Sequence, residues 1–254
     1  MGYQNGIKKI PINYQLIYKY FNPDDSMRKA LLSLLTVSIL TACICFANHD
    51  SGGNVIAVGV VALLLSVLFI WLLIRMKDIP DRVVDDVAKS QLISLRERAF
   101  DKLGIDEDEV NEIPPIVFHG YDYSIIADGV TSNGLGATYY KFGKDCRLRT
   151  NQYRVVMLCF SANEMYCYEY NFSLTENSQR ESTDTYFYRD IVSLSTQTET
   201  ANVGAEKRKY NYENFRLTTT GGTSISCSVR EDEVEDAQRS IKGMRSLLKE
   251  KKMS

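Results

Sequence analysis

Two long apolar runs separated by seven residues constrain this chain more than any other feature. Ala30–Ala47 is 18 residues without a charged side chain, and Val55–Ile74 is 20 more. Between them lies Asn48–Asn54 (NHDSGGN), in which Asp50 is the one formal charge. A helix needs about 20 apolar residues to cross the hydrocarbon core of a bilayer. A buried helix of a soluble domain can be as apolar, but two in tandem with so short a break form the pattern of a transmembrane helical hairpin. Gly52 and Gly53 supply the backbone freedom for the reversal. A cleaved leader is not expected, because the first run starts near residue 30 and no small-residue cleavage site is followed by a mature domain before the second run.

The charges flanking the runs set an expected orientation. Lys8, Lys9, Lys19, Arg28 and Lys29 precede the first, and Arg75, Lys77 and Arg82 follow the second. The positive-inside rule then places both termini in the cytoplasm and the loop outside, in a plasma or inner membrane. Tyr14, Tyr18, Tyr20, Phe21 and Trp71 fit an interfacial aromatic belt. Within the hairpin, Ser38, Ala42 and Cys45 are expected to meet Gly59, Ala62 and Ser66, because small side chains let membrane helices approach closely. Ser33, Thr36 and Thr41 have two readings. They bond back to their own helix, or they line a pore.

With a net charge of −2 over 254 residues, bulk electrostatics give no reason to expect nucleic-acid binding. The six cysteines include no Cys-x-x-Cys pair. Cys146, Cys159, Cys167 and Cys227 fall on the cytoplasmic side with only His119, so a zinc site is not expected and each reads as a small buried hydrophobe.

The spacing divides the chain into residues 1–29, a cytoplasmic or interfacial segment; 30–74, the hairpin (30–47 and 55–74); 80–104, a juxtamembrane helix; 105–115, an acidic linker ending in Pro114-Pro115; and 116–254, a β-rich domain. In the helix, Pro80 starts and Gly104 stops a stripe of Val84, Ala88, Leu92, Leu95, Ala99 and Leu103. Ile116–Tyr123, Tyr153–Phe160, Met165–Leu174, Thr185–Ser195, Phe215–Thr219 and Ile225–Val229 read as strands. Tyr166, Tyr168, Tyr170 and Phe172 share one face of theirs, and Gly221-Gly222 marks a hairpin. A closing helix over about Glu231–Lys251 carries Val234, Ala237, Ile241, Met244, Leu247 and Leu248 on one side, with acids at its start and lysines at its end.

Antiparallel strands followed by one amphipathic helix that caps a curved sheet give an α+β fold. The order of elements, Tyr186–Ser195 followed by a hairpin and a terminal helix above all, resembles the pleckstrin-homology-like (PH-like) domains, including those that bacteria attach to transmembrane hairpins. The resemblance covers roughly residues 116–250 and implies a small antiparallel barrel or sandwich closed by its C-terminal helix.

No constellation for catalysis stands out. Gly129–Gly136 is glycine-rich but lacks Gly-Lys-Ser/Thr and a following helix. His119 lies in a strand, where a structural role is the default, and the acidic pairs such as Asp85–Asp86 read as solvated faces. Lys141, Lys144, Arg147 and Arg149 form the candidate ligand-binding cluster. Lys144-x-x-Arg147-x-Arg149 looks like the basic pattern with which some PH domains hold phosphoinositide headgroups, and such a cluster could grip a phosphate beside an anionic leaflet. The plain alternative is an ordinary solvated strand face. Lys207-Arg208-Lys209 is a second basic knot with the same alternative.

These features lead to the expectation of a non-enzymatic, cofactor-free membrane-anchored binding or scaffold protein. Its cytoplasmic domain would recognise a partner protein or a lipid surface, and the hairpin would localise it or assemble it as a homo-oligomer. The competing reading is an oligomeric channel or pore-forming effector gated by the cytoplasmic domain.

Overall fold

The computed structural model describes residues 10–23, 25–48, 53–75, 78–110, 112–127, 135–204 and 206–253. The turn between the apolar runs, Lys8, Lys9 and Lys77, and the glycine-rich segment from 129 to 134 lie outside the described residues. The chain divides into two units, Asn22–Pro80 and Met1–Phe21 with Asp81–Ser254.

The first unit is an antiparallel pair of helices, α2 (Asp25–Ala47) and α3 (Gly53–Arg75). At 23 residues each they are about 34 Å long, enough to cross a bilayer core. Their outward faces are apolar and open, with Leu40 at 61 %, Leu64 at 62 % and Ile74 at 63 % exposure. The helices meet along the expected small residues. Ser38 Oγ donates to the Ala62 carbonyl at 2.6 Å, and Ser66 Oγ lies 3.0 Å from Ser38 Oγ. A Cβ on Gly59 would lie 3.1 Å from Cys45 Cβ, so any larger residue there would push the helices apart. The hydroxyls of Ser33, Thr36 and Thr41 donate to the carbonyls of Ala30, Ser33 and Val37 of their own helix.

The second unit begins with α1 (Tyr14–Phe21) and continues through α4 (Asp81–Ser90) and α5 (Leu95–Leu103). The expected juxtamembrane helix is thus two helices. Between them the main chain changes to i→i−3 bonds, from Gln91 to Ala88, Leu92 to Lys89 and Ile93 to Ser90. The side chains of Ser90 and Gln91 both take the Val87 carbonyl, which competes with the regular ladder. The apolar stripe survives this break, with Val84, Ala88, Leu92, Leu95 and Ala99 all buried. Gly104, at φ +66°, ends α5 as expected, donating to the Phe100 carbonyl.

After β1 (Ile116–Tyr121) come a short α6 (Ser124–Ala127), the small hairpin β2 (Tyr140–Phe142) and β3 (Leu148–Thr150), and then β4 (Gln152–Phe160), β5 (Glu164–Ser173) and β6 (Gln179–Phe187). β7 (Ile191–Val203), β8 (Arg208–Thr219), β9 (Ser224–Val229) and α7 (Val234–Met253) complete the chain. One antiparallel sheet runs β1-β4-β5-β6, and a second runs β7-β8-β9. The stretch expected as one strand, Thr185–Ser195, turns a corner between the two sheets at Tyr188–Asp190. Tyr188 anchors that corner by donating to the Ser161 carbonyl at 2.6 Å.

The core lies between the sheets. Phe118, Val156, Leu158, Phe160 and Met165 of one face Phe215, Leu217 and Ile225 of the other, and Ala237, Ile241, Met244 and Leu247 of α7 close it. Phe118 stacks on Phe215 with centroids 4.0 Å apart. Burying side chains of this size contributes roughly 1.5–3 kcal/mol each. The aromatic face of β5 looks the other way. Tyr168, Tyr170 and Phe172 stand opposite Met157, Val155 and Tyr153 of β4, and all six are buried. α5 reaches this side through Arg98, whose guanidinium lies 4.4 Å from the Tyr170 ring and pairs with Glu181 at 2.7 Å. The four-stranded sheet is therefore covered on both faces.

Candidate functional site

The basic cluster sits on the β2–β3 hairpin, and its geometry is inward. Arg149 is 2 % exposed. Its Nε and Nη2 donate to the two carboxylate oxygens of Asp85 on α4 at 2.9 and 2.8 Å, and its Nη1 and Nη2 donate to those of Asp145 at 2.9 and 2.8 Å. Tyr121 donates to Asp85 at 2.6 Å. One turn earlier on α4, Asp81 accepts from the Tyr20 hydroxyl at 2.8 Å and from the Lys144 amide at 2.7 Å. Lys141 donates to the Tyr20 carbonyl at 3.1 Å and lies over the Tyr20 ring. The cluster thus clasps α1 and α4 to the hairpin.

The electrostatics of the clasp follow from this. Burial works to lower the Arg149 pKa, but the bonds from Asp145 and Asp85 outweigh it and raise it. Bonding to Arg149 holds Asp145 at about 2. Burial pushes the Asp85 carboxyl up, yet hydrogen bonds from Arg149 and Tyr121 bring it below its ordinary value. The second Nη1 hydrogen of Arg149 reaches the Arg147 carbonyl at 3.5 Å, so all five of its donors are engaged within the protein. The cavity beside Arg147, Arg149 and Arg230 is about 30 Å³, room for a water or two. Arg147 is half-buried, and Lys144, the outermost of the four, is exposed. Of the second basic knot, Arg208 is engaged with the Phe142 ring at 3.9 Å.

Sequence reasoning read Asp85 as a solvated acid. Its position one residue from Val84 and three from Ala88, both fully buried, was the available signal, because a carboxylate at the edge of an apolar stripe needs a cation.

A second feature was not visible from motifs. A groove of about 370 Å³ runs between β1 and α7, lined by Pro115, Val117, His119, Glu233, Asp236 and Ser240 among others. Among the described residues β1 is an edge strand, bonded to β4 alone. Near its end it is covered by β9. Ser228 Oγ donates to the Tyr121 carbonyl, and a Cβ on Gly120 would lie 2.5 Å from the Ser228 carbonyl oxygen. β9 stops at Val229, so the first half of β1 faces α7 across open space. His119 is buried at the groove floor, with Nδ1 bonded to Tyr153 Oη at 2.7 Å. Its Nε2 lies 3.0 Å from Glu233 Oε2 but off the direction of a hydrogen bond.

Three of the six cysteines are buried in the β-rich unit. Burial raises the thiols of Cys159, to about 12, and of Cys167 and Cys227. Cys146, expected to be buried, is exposed at positive φ in the β2–β3 turn. Among the described residues no group of three or more His, Cys, Asp or Glu is placed to hold a metal ion. Comparison of the chain with family models, curated proteins and solved structures finds no match.

Proposed function

We propose that this chain is a membrane-anchored, non-enzymatic binding protein. Its hairpin crosses the membrane with both termini cytoplasmic, and its β-rich unit is a PH-like domain that recognises a partner protein. Membrane insertion is supported by two helices whose leucines and isoleucines are open along their length. In water such a surface would far exceed the few hundred Å² of contiguous apolar patch that soluble proteins tolerate. Four strands, then three, then a capping helix support the PH-like reading.

The observation that carries the binding role is the groove between β1 and α7. Both faces of the four-stranded sheet are covered within the unit, so recognition falls to its edges, and the β1 edge opens into this cavity. The lipid-headgroup reading rested on four basic residues, of which Arg149 is bound to two carboxylates and Lys141 to Tyr20. The channel reading rested on the hydroxyls of α2, whose bonds to their own helix account for them.

A photo-cross-linking amino acid at Ser240, which lines the groove, tests the proposal in membranes of cells expressing the full chain. A discrete protein adduct at Ser240, absent from the exposed control Lys242, is expected. Equal adducts at both positions, or none at Ser240, would overturn it.

A further inference from the structure

We propose that the groove takes an extended peptide segment of the partner, added as a strand to the outer edge of β1 and presenting a basic side chain to Asp236 and Glu233. The inference rests on the reading of the β-rich unit as a binding module.

The register fixes which main-chain groups are open. The Asp122 amide donates to the Gln152 carbonyl at 2.9 Å, and these two residues continue the β1–β4 register, in which Ile116 faces Leu158 and Gly120 faces Arg154. Bonded and non-bonded pairs alternate along an antiparallel ladder. Ile116, Phe118 and Gly120 therefore bond to β4, and Val117 and His119 turn their N–H and C=O groups to the outer edge. Pro114 and Pro115 have no N–H to offer, so the open edge begins at Val117 and ends where β9 arrives. An edge of unpaired amides and carbonyls is a template for another strand.

The far wall suits an added strand as well. Ala237, Ser240 and Gly243 recur every three residues along α7 and line the groove. A Cβ on Gly243 would meet nothing within 4 Å, so the wall is set back by the width of a side chain.

Charge selects the occupant. Among the described residues the groove is lined by two carboxylates, and its one basic lining residue is the buried His119. Glu233 is held below its ordinary pKa, with burial opposed by the nearby His119 ring, Arg230 and Lys89, and stays ionised at neutral pH. Lys89 at 3.7 Å, from α4, and Arg230 at 3.9 Å, from just before α7, reach its other oxygen, Oε1. Asp236 meets Arg239, which is 71 % exposed and readily displaced. A lysine or arginine between β-branched neighbours matches such a groove, and an acidic peptide is repelled by it.

The test uses the full chain in nanodiscs and a phage-displayed library of random dodecapeptides. Enrichment of peptides with a central Lys or Arg in an alternating extended pattern is expected. Val117→Pro removes an outward N–H and leaves the β4 bonds in place, as edge positions allow. Gly243→Leu fills the groove. Each should weaken the selected peptides at least tenfold, and Asp236→Asn should weaken them severalfold. Should Val117→Pro fail to fold, Gly243→Leu decides, since leucine favours the helix over glycine. Peptides that bind both variants as they bind the parent would overturn the groove and leave the binding reading standing. Enrichment of acidic peptides would overturn the charge assignment. No enrichment over empty nanodiscs would overturn both readings.

Discussion

Replacing Arg149 by methionine should destabilise the β-rich unit far more than a surface charge deletion. The side chain is 3 % exposed, its partner Asp85 is 18 % and Asp145 is 40 %. Breaking a buried ion pair from one side costs about 3–5 kcal/mol, because the remaining charge is left without a partner. Asp145 can turn to water, so the low end applies, about 3 kcal/mol. For a unit of this size that is a fall of about 6–12 °C in melting temperature, at about 2–4 °C per kcal/mol. Asp85→Asn keeps an acceptor for Tyr121 and leaves Arg149 with Asp145, so about 1 kcal/mol is expected. The double variant should be less impaired than Arg149→Met alone, with a coupling of about 2 kcal/mol. Acid gives a second readout. In the parent, Asp85 titrates below its ordinary 3.8, so its contribution is complete above that value and is lost as the pH falls through the folded pKa. Without Arg149, burial raises the folded pKa, the sign reverses, and the deficit shrinks as the pH drops from 7 towards 4. Thermal unfolding of the full chain in detergent, followed by tyrosine fluorescence at both pH values, measures all of this. Additive variants, or a loss under about 1 kcal/mol, would show that the clasp does not hold α4.

Three other outcomes are expected. Gly120→Ala should cost about 2–4 kcal/mol, because its Cβ would be forced against the main chain of Ser228; a melting temperature within 2 °C or so of the parent would contradict this. In the hairpin, Ser38→Ala removes a bond between helices and should cost about 0.6–1.7 kcal/mol, whereas Thr36→Ala should be silent, both read from thermal unfolding in detergent. Maleimide should label Cys146 quickly in the native protein and leave Cys159, Cys167 and Cys227 untouched until denaturant is added, as mass spectrometry of the peptides would show.

The helices were legible wherever one period ran unbroken, and this covers both apolar runs, their small-residue contact and α7. The strand signal found β1, β4 and β5, the end of β8 and nearly all of β9. It failed in two informative places. β6 (Gln179–Phe187) is an edge strand of polar residues, largely solvated, so it offers no apolar alternation. At Tyr188 the alternation of β6 and β7 runs on through a corner, because both strands contribute to one core and period alone cannot distinguish a bend from a straight strand. The basic cluster was legible as a group and not in its direction. Nothing in Lys144-x-x-Arg147-x-Arg149 shows that a carboxylate some sixty residues upstream, Asp85, completes it. The groove was illegible for a different reason. It is made by where β9 stops relative to β1, a matter of strand length and not of side-chain pattern.

Charges join the clasp to the groove, and one of them, Lys89, yields the most discriminating expectation. Lys89, on the clasped helix α4, lies 3.7 Å from both Asp232 and Glu233 and is 35 % exposed. Asp232 also has Arg230 at 3.0 Å, and Glu233 also has the His119 ring at 3.0 Å and Arg230 at 3.9 Å, so Lys89 is one of several partners of each. Lys89→Met should therefore leave folding nearly unchanged, as a partly exposed pair contributes about 0.2–1 kcal/mol. It should also free negative charge at the groove. Affinity for a lysine- or arginine-bearing peptide would rise up to about fivefold, the ratio that about 1 kcal/mol corresponds to, and the gain would shrink at high salt. Fluorescence anisotropy of a selected peptide on the two proteins measures it. An unchanged or weaker affinity would mean that Glu233 does not face the occupant, and the basic side chain would have to be assigned to Asp236 alone.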